Sequence, residues 1–200
     1  MQRLLRLLVV VVLGIAIGVA AYVGGLILTN PGPRDAIGWT LLAPLPSARG
    51  ETAAVVAGGR LYVIGGMTGL TGQATAEVSA YDPVSNAWTA EPGLPAARHH
   101  AAAAALDGTA YVSGGGRSAD DWTPQAMLWS LPAGTETWQE LAPMPEGRLG
   151  HRMVAMDGRL YVIGGVGSTG NVLSYDPATD AWTAGAPMTV PPRWPSCWAC

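Results

Sequence analysis

The sequence contains no lysine, few charged residues and only two cysteines. All 11 of its basic residues are arginine, and charged residues make up 12% of the 200 residues. We attribute the missing lysine to coding bias, because alanine, glycine, proline and arginine are used heavily throughout. Residues 34–200 hold 9 Arg against 14 Asp and Glu, a balance of −5. This excess of negative charge argues against a nucleic-acid-binding surface.

Both cysteines lie in the last segment, 188–200, which we interpret as an irregular tail. Cys197 and Cys200 have the spacing of a disulfide or of half a metal site. There is no second CxxC pair, no following histidine for haem attachment and no thioredoxin-like context. We therefore predict no cofactor and no metal site from these residues.

One long hydrophobic run stands near the N-terminus. Residues 7–28 form 22 consecutive residues without charge, which as a helix of ~33 Å would cross a ~30 Å hydrocarbon core. Arg3 and Arg6 precede the run, and a Pro- and Gly-rich stretch follows it. The pattern predicts a single-pass protein of the cell membrane, with a cytoplasmic segment at 1–6, a transmembrane signal anchor at 7–28 and a linker at 29–38. The positive-inside rule places the repeats on the extracytoplasmic side.

A cleaved signal peptide is the alternative for this run, with Ala20 and Ala21 near the cleavage site. The run is longer than the ~7–15 apolar residues usual in a signal peptide, so we favour the anchor. A buried core helix is disfavoured because the run is apolar on every face. Both leading interpretations export the rest of the chain.

Residues 39–187 repeat one pattern. Strand-forming runs such as LYVI end at a Gly doublet, and the doublets at 65, 114 and 164 recur 49 and 50 residues apart. Tryptophans 39, 88, 138 and 182 recur at spacings of 49, 50 and 44. The pattern holds four strand signals per repeat. The residues that we assign to the repeat structure are Gly65, Gly66, Trp88, Gly114, Gly115, Trp138, Gly164, Gly165 and Trp182.

This pattern resembles the kelch repeat, in which each repeat forms one blade of a β-propeller. The resemblance implies an all-β fold: three four-stranded blades, plus a leading strand from Trp39 to Leu45 that would complete a further blade. It also predicts an innermost strand at 101–106, although that run of alanines favours a helix by propensity.

A propeller usually closes with ~4–8 blades, and three blades leave two uncovered faces. If each face exposes ~500 Å² of apolar surface, it costs ~12 kcal/mol. We therefore expect a piece of a longer propeller. Self-association that completes a ring and an open three-blade unit are the alternatives.

The candidate ligand-binding residues lie near the repeated arginines and in the loops after the Gly doublets. Glu51, His100 and Gly150 occupy matching positions and are expected to surround one opening, with His99, His151 and Arg152 nearby. We predict no metal there, because adjacent histidines on a strand point to opposite faces. The candidate set is Glu51, Arg98, His100, His151, Arg117 and Trp122.

Trp122 lies in the middle one of the three long loops that follow the Gly doublets, residues 117–126, among Arg117, Asp120 and Asp121. An aromatic residue among charges on a loop is typical of a recognition element. The alternative is a tryptophan that packs back onto its own blade.

Two classes of function follow from the resemblance. Kelch propellers commonly bind a protein or carbohydrate partner through loops, and we favour such a non-catalytic, membrane-anchored binding module. The alternative is a sugar-acting enzyme. A copper oxidase of this fold needs a Cys–Tyr crosslink, and the only cysteines lie in the tail. A mutarotase-like enzyme needs only acid and base groups such as Glu51, Arg98 and His100.

Overall fold

The structure is a computed structural model that describes residues 40–69 and 72–189. Within these residues all regular structure is β-strand, and the strands lie in the compact unit that begins at Ala43. The strands are β1 (Arg49–Gly50), β2 (Ala53–Ala57), β3 (Arg60–Ile64), β4 (Met67–Thr68), β5 (Gln73–Ala74), β6 (Val78–Asp82), β7 (Ala87–Glu91), β8 (Ala102–Leu106), β9 (Thr109–Ser113), β10 (Leu128–Leu131), β11 (Gln139–Leu141), β12 (Arg152–Met156), β13 (Arg159–Ile163), β14 (Asn171–Asp176) and β15 (Ala181–Pro187).

The predicted segments 1–6, 7–28 and 29–38 lie outside the described residues, as do Trp39 and most of the tail. The part of the chain that the structure describes contains no helix of the length and hydropathy that a membrane span requires.

The strands form three antiparallel sheets of four, which confirms the predicted blades. Blade 1 has the order β2-β3-β6-β7, blade 2 has β8-β9-β10-β11 and blade 3 has β12-β13-β14-β15. The strands β1, β4 and β5 form a small separate sheet. In the sequence, β1 precedes blade 1, and β4 and β5 lie between its second and third strands. The first two strands of each blade are joined by two residues with positive φ, such as Asp107 at 50° and Gly108 at 79°. These are the tight hairpin turns that Asp-Gly pairs favour.

The alanine run forms an inner strand, as the repeat predicted. Ala102–Leu106 pairs with β9 and lies between β2 and β12, the inner strands of the flanking blades. Its small side chains suit this position because three inner strands converge there. Tertiary packing therefore overrides the helix propensity of alanine.

The predicted leading strand is wrong for the residues described. Thr40 to Leu45 contains no strand. A strand needs a neighbour to accept and donate its backbone hydrogen bonds, and none of the described strands pairs with this segment. Ala43 makes two hydrogen bonds to blade 1 instead: its N–H donates to Asn86 Oδ1, and its carbonyl oxygen accepts from the indole N–H of Trp88.

The three tryptophans fasten each blade to the segment before it. The indole N–H of Trp88 donates to the carbonyl of Ala43 at 2.9 Å, and that of Trp138 donates to Pro92 at 2.8 Å. Each acceptor lies four residues after the tryptophan position of the preceding repeat. The predicted role of tryptophan between blades therefore rests on one directed hydrogen bond as well as on apolar area.

A second contact accompanies the tryptophan in blades 1 and 3. Asp180 Oδ1 accepts from the N–H of Ala142 at 2.8 Å and from the hydroxyl of Tyr175 at 2.7 Å. Asn86 accepts in the same way from Ala43 and Tyr81, both at 2.8 Å. We call this three-residue contact the turn clamp.

Blade 2 lacks the turn clamp. Leu131 stands in the tyrosine position and Glu136 in the Asn or Asp position. The residue that would donate the N–H is Pro92, which has none. All three members of the contact therefore change together.

The Gly doublets allow close approach between neighbouring repeats. The N–H of Gly115 donates to the carbonyl of Arg148 at 2.8 Å, and Gly66 does the same to Arg98 at 2.8 Å. A Cβ on Gly114, which has φ of 62°, would lie 2.3 Å from the Arg148 carbonyl oxygen and 2.6 Å from the ring of His151. Backbone as well as a neighbouring ring therefore fills the space that the missing side chain leaves.

Candidate functional site

Three matching residues surround one end of the inner strands. Glu51, His100 and Gly150 have φ of 52°, 52° and 64°. The N–H of His100 donates to the carbonyl of Glu51 at 3.0 Å, and that of Gly150 donates to the carbonyl of His100 at 2.8 Å. The three repeats are thus linked by backbone at this end. We call the end of the blades that carries these three residues the mouth.

A chain of side-chain contacts runs across the mouth. Glu51 Oε2 lies 2.8 Å from His100 Nε2, and His100 Nδ1 lies 2.8 Å from His99 Nδ1. His99 Nε2 lies 2.9 Å from the carbonyl oxygen of Ser118. His99 is fully buried, whereas the Glu51 side chain is 54% exposed. This series of contacts therefore connects the surface carboxylate of Glu51 with the 117–126 loop.

The contact of His99 with the Ser118 carbonyl fixes which histidine nitrogens donate in this series of contacts. A carbonyl oxygen only accepts, so His99 Nε2 carries a proton and a neutral His99 accepts at Nδ1. His100 then donates from Nδ1 to that nitrogen. Burial lowers the pKa of His100, while Glu51 opposes the shift and His99 adds to it.

The two adjacent histidines do not point apart, which corrects the expectation from strand alternation. His100 has a positive φ and lies in a bend outside the strands. The rings of His99 and His100 consequently meet edge to face, with centroids 5.0 Å apart. Within the described residues no group of three or more His, Cys, Asp and Glu side chains is placed to hold a metal ion.

Trp122 packs onto both histidines. Its ring centroid lies 4.9 Å from that of His99 and 4.8 Å from that of His100. Its indole N–H donates to the carbonyl of Ala119 at 2.7 Å, within its own loop. The side chain is partly buried, so it forms the inner wall of the mouth and still presents surface there.

Hydrogen bonds fix the shape of the 117–126 loop. Arg117 is exposed and its Nε donates to Gln125 Oε1 at 2.9 Å. Asp121 Oδ1 accepts from the N–H of Thr123 at 3.0 Å, and hydrogen bonds from Thr123 lower the pKa of that carboxyl. The loop therefore presents a fixed cation and a fixed anion beside Trp122.

Arg98 and His151, which the sequence also suggested, lie in the interior. The Arg98 guanidinium lies over the ring of Trp129, 4.9 Å from its centroid, and the residue is 7% exposed. Burial lowers its pKa, and Arg117 lowers it further. His151 is 1% exposed and its Nε2 lies 2.8 Å from Ser113 Oγ.

A cavity of about 230 Å³ lies among the inner strands below the mouth. It is lined mainly by alanines of β2 and β8, with His151 and Arg152 on the side of blade 3. Burial lowers the pKa of His151 to about 3, and the charges of Arg148 and Arg152 add to this shift. A neutral imidazole and a hydroxyl therefore face each other beside this cavity.

The structure thus brings Glu51, His100 and Trp122 into one group. Arg117 is exposed on the 117–126 loop, which also carries Trp122. The sequence placed His99 near the opening but outside the candidate set, and it gave Ser113 no role. Ser113 carried a signal, because it is polar at a position held by Ile64 and Ile163 in the matching strands. No sequence signal predicts the contact between His99 and His100, because it depends on the positive φ of His100.

Three antiparallel four-stranded sheets with adjacent inner strands define a β-propeller module whose loops surround a central mouth. The sequence profile of the KLHDC2/KLHL20/DRC7 kelch-repeats domain matches residues 38–199. Because that match covers most of the chain, the protein belongs to the kelch-repeat family.

Relatives and a solved structure agree with this assignment. The chain is 37% identical to Kelch-like protein 35 of Mus musculus over 64 residues, which are 30% of this chain and 11% of the relative. It is 47% identical to Kelch-like protein terF of Aspergillus terreus over 58 residues, 24% of this chain and 12% of the relative. The structure of YjhT superposes with a TM-score of 0.65 at 23% identity, covering 78% of this chain and 58% of YjhT. The chain therefore spans only part of the proteins that it resembles.

Proposed function

We propose that this chain is a membrane-anchored, extracytoplasmic kelch module that binds a partner protein through its mouth. The predicted anchor at residues 7–28 holds the module at the membrane, and the repeats face outward. Membership of the kelch-repeat family favours binding over catalysis.

The observation that carries the proposal is the group at the mouth. Glu51 presents an exposed carboxylate, Arg117 presents an exposed guanidinium, and Trp122 packs on the histidine pair that Glu51 contacts. An aromatic surface flanked by charges of both signs on a rigid base is typical of protein-binding sites. The hydrogen bonds of the 117–126 loop reduce the entropy that binding would cost.

The test is cross-linking of the full chain in its native membrane, followed by identification of the cross-linked proteins. The double variant Arg117→Ala with Glu51→Gln should lose partners that the wild type captures, because it removes the exposed guanidinium of Arg117 and the exposed charge of Glu51. Val84→Ala is the matched control, since Val84 is 94% exposed and lies on a turn between β6 and β7, away from the mouth.

If the double variant captures the same partners in the same amounts, the mouth is not the binding surface. Anchoring is checked separately. Alkaline carbonate extraction should leave the protein in the membrane fraction, and protease added outside the cell should cut the repeats. Release by carbonate would contradict the anchor.

A sugar-acting enzyme is the second candidate, favoured by one observation. Glu51 Oε2 lies 2.8 Å from His100 Nε2 at the mouth, and a carboxylate beside an imidazole is an arrangement suited to acid–base catalysis. Sugar anomerisation followed by proton NMR, lost in Glu51→Gln and retained in Val84→Ala, would establish it.

A further inference from the structure

The two junctions between the three blades are filled differently. At the junction of blades 2 and 3, the space near the turns opposite the mouth is closed by large apolar side chains. Leu160 and Tyr175 are buried in the apolar cluster at this junction, and Leu106 and Leu141 pack against the same cluster. Leu160 and Tyr175 are register partners in neighbouring strands, and Leu61 and Tyr81 form the same pair in blade 1.

At the junction of blades 1 and 2 each matching position carries a smaller or charged side chain. Ala110 and Leu131 are the register partners in blade 2, so leucine is replaced by alanine and tyrosine by leucine. On the blade 1 side, Ala57 stands where blade 2 has Leu106, and Glu91 stands where blade 2 has Leu141. A cavity of about 170 Å³ remains. We call it the junction cavity.

The walls of the junction cavity combine apolar and polar surface. Ala57, Ala110 and Leu131 form the apolar part. Arg60 lies 5.7 Å from the ring centroid of Tyr62, and its Nη2 lies 2.8 Å from Glu91 Oε1. The Glu91 side chain is 18% exposed. A ligand in this cavity would therefore meet an aromatic face, apolar walls, one carboxylate and one guanidinium.

The missing turn clamp belongs to the same junction. In blade 3 the hydroxyl of Tyr175 is held by Asp180. Blade 2 has Glu136 in that position, and Pro92 has no N–H to complete the contact. Substitutions at the cavity and at the clamp thus occur together, so the cavity is a consistent feature of this junction and not the result of one small residue.

We propose that the junction cavity binds a small phenol, a single aromatic ring with a hydroxyl group. An engineered apolar cavity of about 150 Å³ in another protein holds benzene, so the volume is sufficient. The ring lies against Leu131, Ala110 and Tyr62. The hydroxyl donates to the carboxylate of Glu91 and accepts from Arg60. This site is separate from the mouth and does not depend on the function proposed there.

The test is titration of the full chain with p-cresol, the free form of a tyrosine side chain, while the methyl resonances of Ala110 and Leu131 are followed by NMR. We expect saturable shifts of both methyl groups. Toluene, which lacks the hydroxyl, should bind about tenfold more weakly, because it makes no hydrogen bond to Glu91 or Arg60. Glu91→Gln should reduce this preference for p-cresol over toluene.

Leu131→Tyr should abolish p-cresol binding, because the introduced ring occupies the cavity. Ala110→Leu restores the residue found at Leu61 and Leu160 and should have the same effect, which guards against misfolding of a single variant. Val84→Ala should bind as the wild type does. If p-cresol causes no saturable shift of the wild type, or binds both filled variants equally well, the proposal is wrong.

Discussion

The indole N–H of Trp182 donates to the carbonyl oxygen of Ala142 at 2.8 Å, from the outer strand of blade 3 to the segment that leaves blade 2. The same bond occurs at each of the three tryptophans. Because these bonds join neighbouring repeats, their removal should lower the stability of the whole array and not of one blade alone.

Trp182→Phe should lower the free energy of unfolding by about 1–2 kcal/mol, since it keeps an aromatic ring and removes one hydrogen bond. Urea unfolding of the purified chain measures the change. Trp122→Phe is the control, because the Trp122 indole bond lies within a single loop and its loss should cost less. Equal losses in the two variants would contradict the role of the bond between repeats.

The turn clamp predicts a contrast between two substitutions of Asp180. Asp180→Asn should be nearly neutral, because Asn86 makes the same two contacts in blade 1 at almost the same positive φ, 51° against 49°. Asp180→Ala should cost about 2 kcal/mol, since it removes both contacts and places alanine at positive φ. Thermal unfolding measures both variants, and similar melting temperatures would show that the clamp contributes nothing.

Gly114→Ala should be among the most destabilising single changes, at about 3 kcal/mol or more, because the new Cβ would collide with backbone. That Cβ would lie 2.3 Å from the Arg148 carbonyl oxygen. Gly58→Ala is the matched control, since Gly58 has φ of 56° and no atom within 4 Å of the added Cβ. It should cost only about 1 kcal/mol, the strain of alanine at positive φ. Chemical denaturation of the two variants separates strain from collision.

His151 predicts a loss of stability in acid. Its pKa is held at about 3 by burial, against ~6.5 in the unfolded chain. Between these values the unfolded chain binds a proton that the folded chain does not, so acidification favours unfolding. This effect is absent above about pH 6.5, and it lowers the free energy of unfolding by about 3 kcal/mol between pH 7 and pH 4.

His151→Asn does not titrate in this range and keeps a polar group next to Ser113. Urea unfolding at several pH values should therefore give a shallower pH dependence for His151→Asn than for the wild type. Parallel curves would show that His151 is not the group responsible.

The fold could be predicted from the sequence because each blade repeats its own register. Gly doublets, tyrosines and tryptophans recur at nearly constant spacing, and this constancy identified the inner strand at Ala102–Leu106 despite its alanine content. The leading strand at Trp39 to Leu45 was predicted from the same register. It failed in the residues described, because a repeat pattern does not supply the neighbouring strand that pairing requires.

The candidate site was less predictable. Matching positions placed Glu51 and His100 at one opening, but the contact of His99 with His100 depends on a single positive φ that no residue type signals. Arg98 lies inside as Arg49 and Arg148 do, the arginines at the matching positions, whose side chains are fully buried. Its contact with the ring of Trp129 is particular to blade 2, because Ser79 and Leu173 stand at the matching positions of the other blades. Such contacts depend on which side chains face each other across a junction, and a single repeat does not contain that information.

The tryptophan bonds also bear on how the chain is synthesised. Each indole reaches back 40 to 46 residues to an acceptor that left the ribosome earlier. At ~5–20 residues per second, a repeat of about fifty residues emerges in ~3–10 s. A blade can therefore dock only onto a predecessor that has already been translated, and the propeller is expected to assemble in the direction of translation.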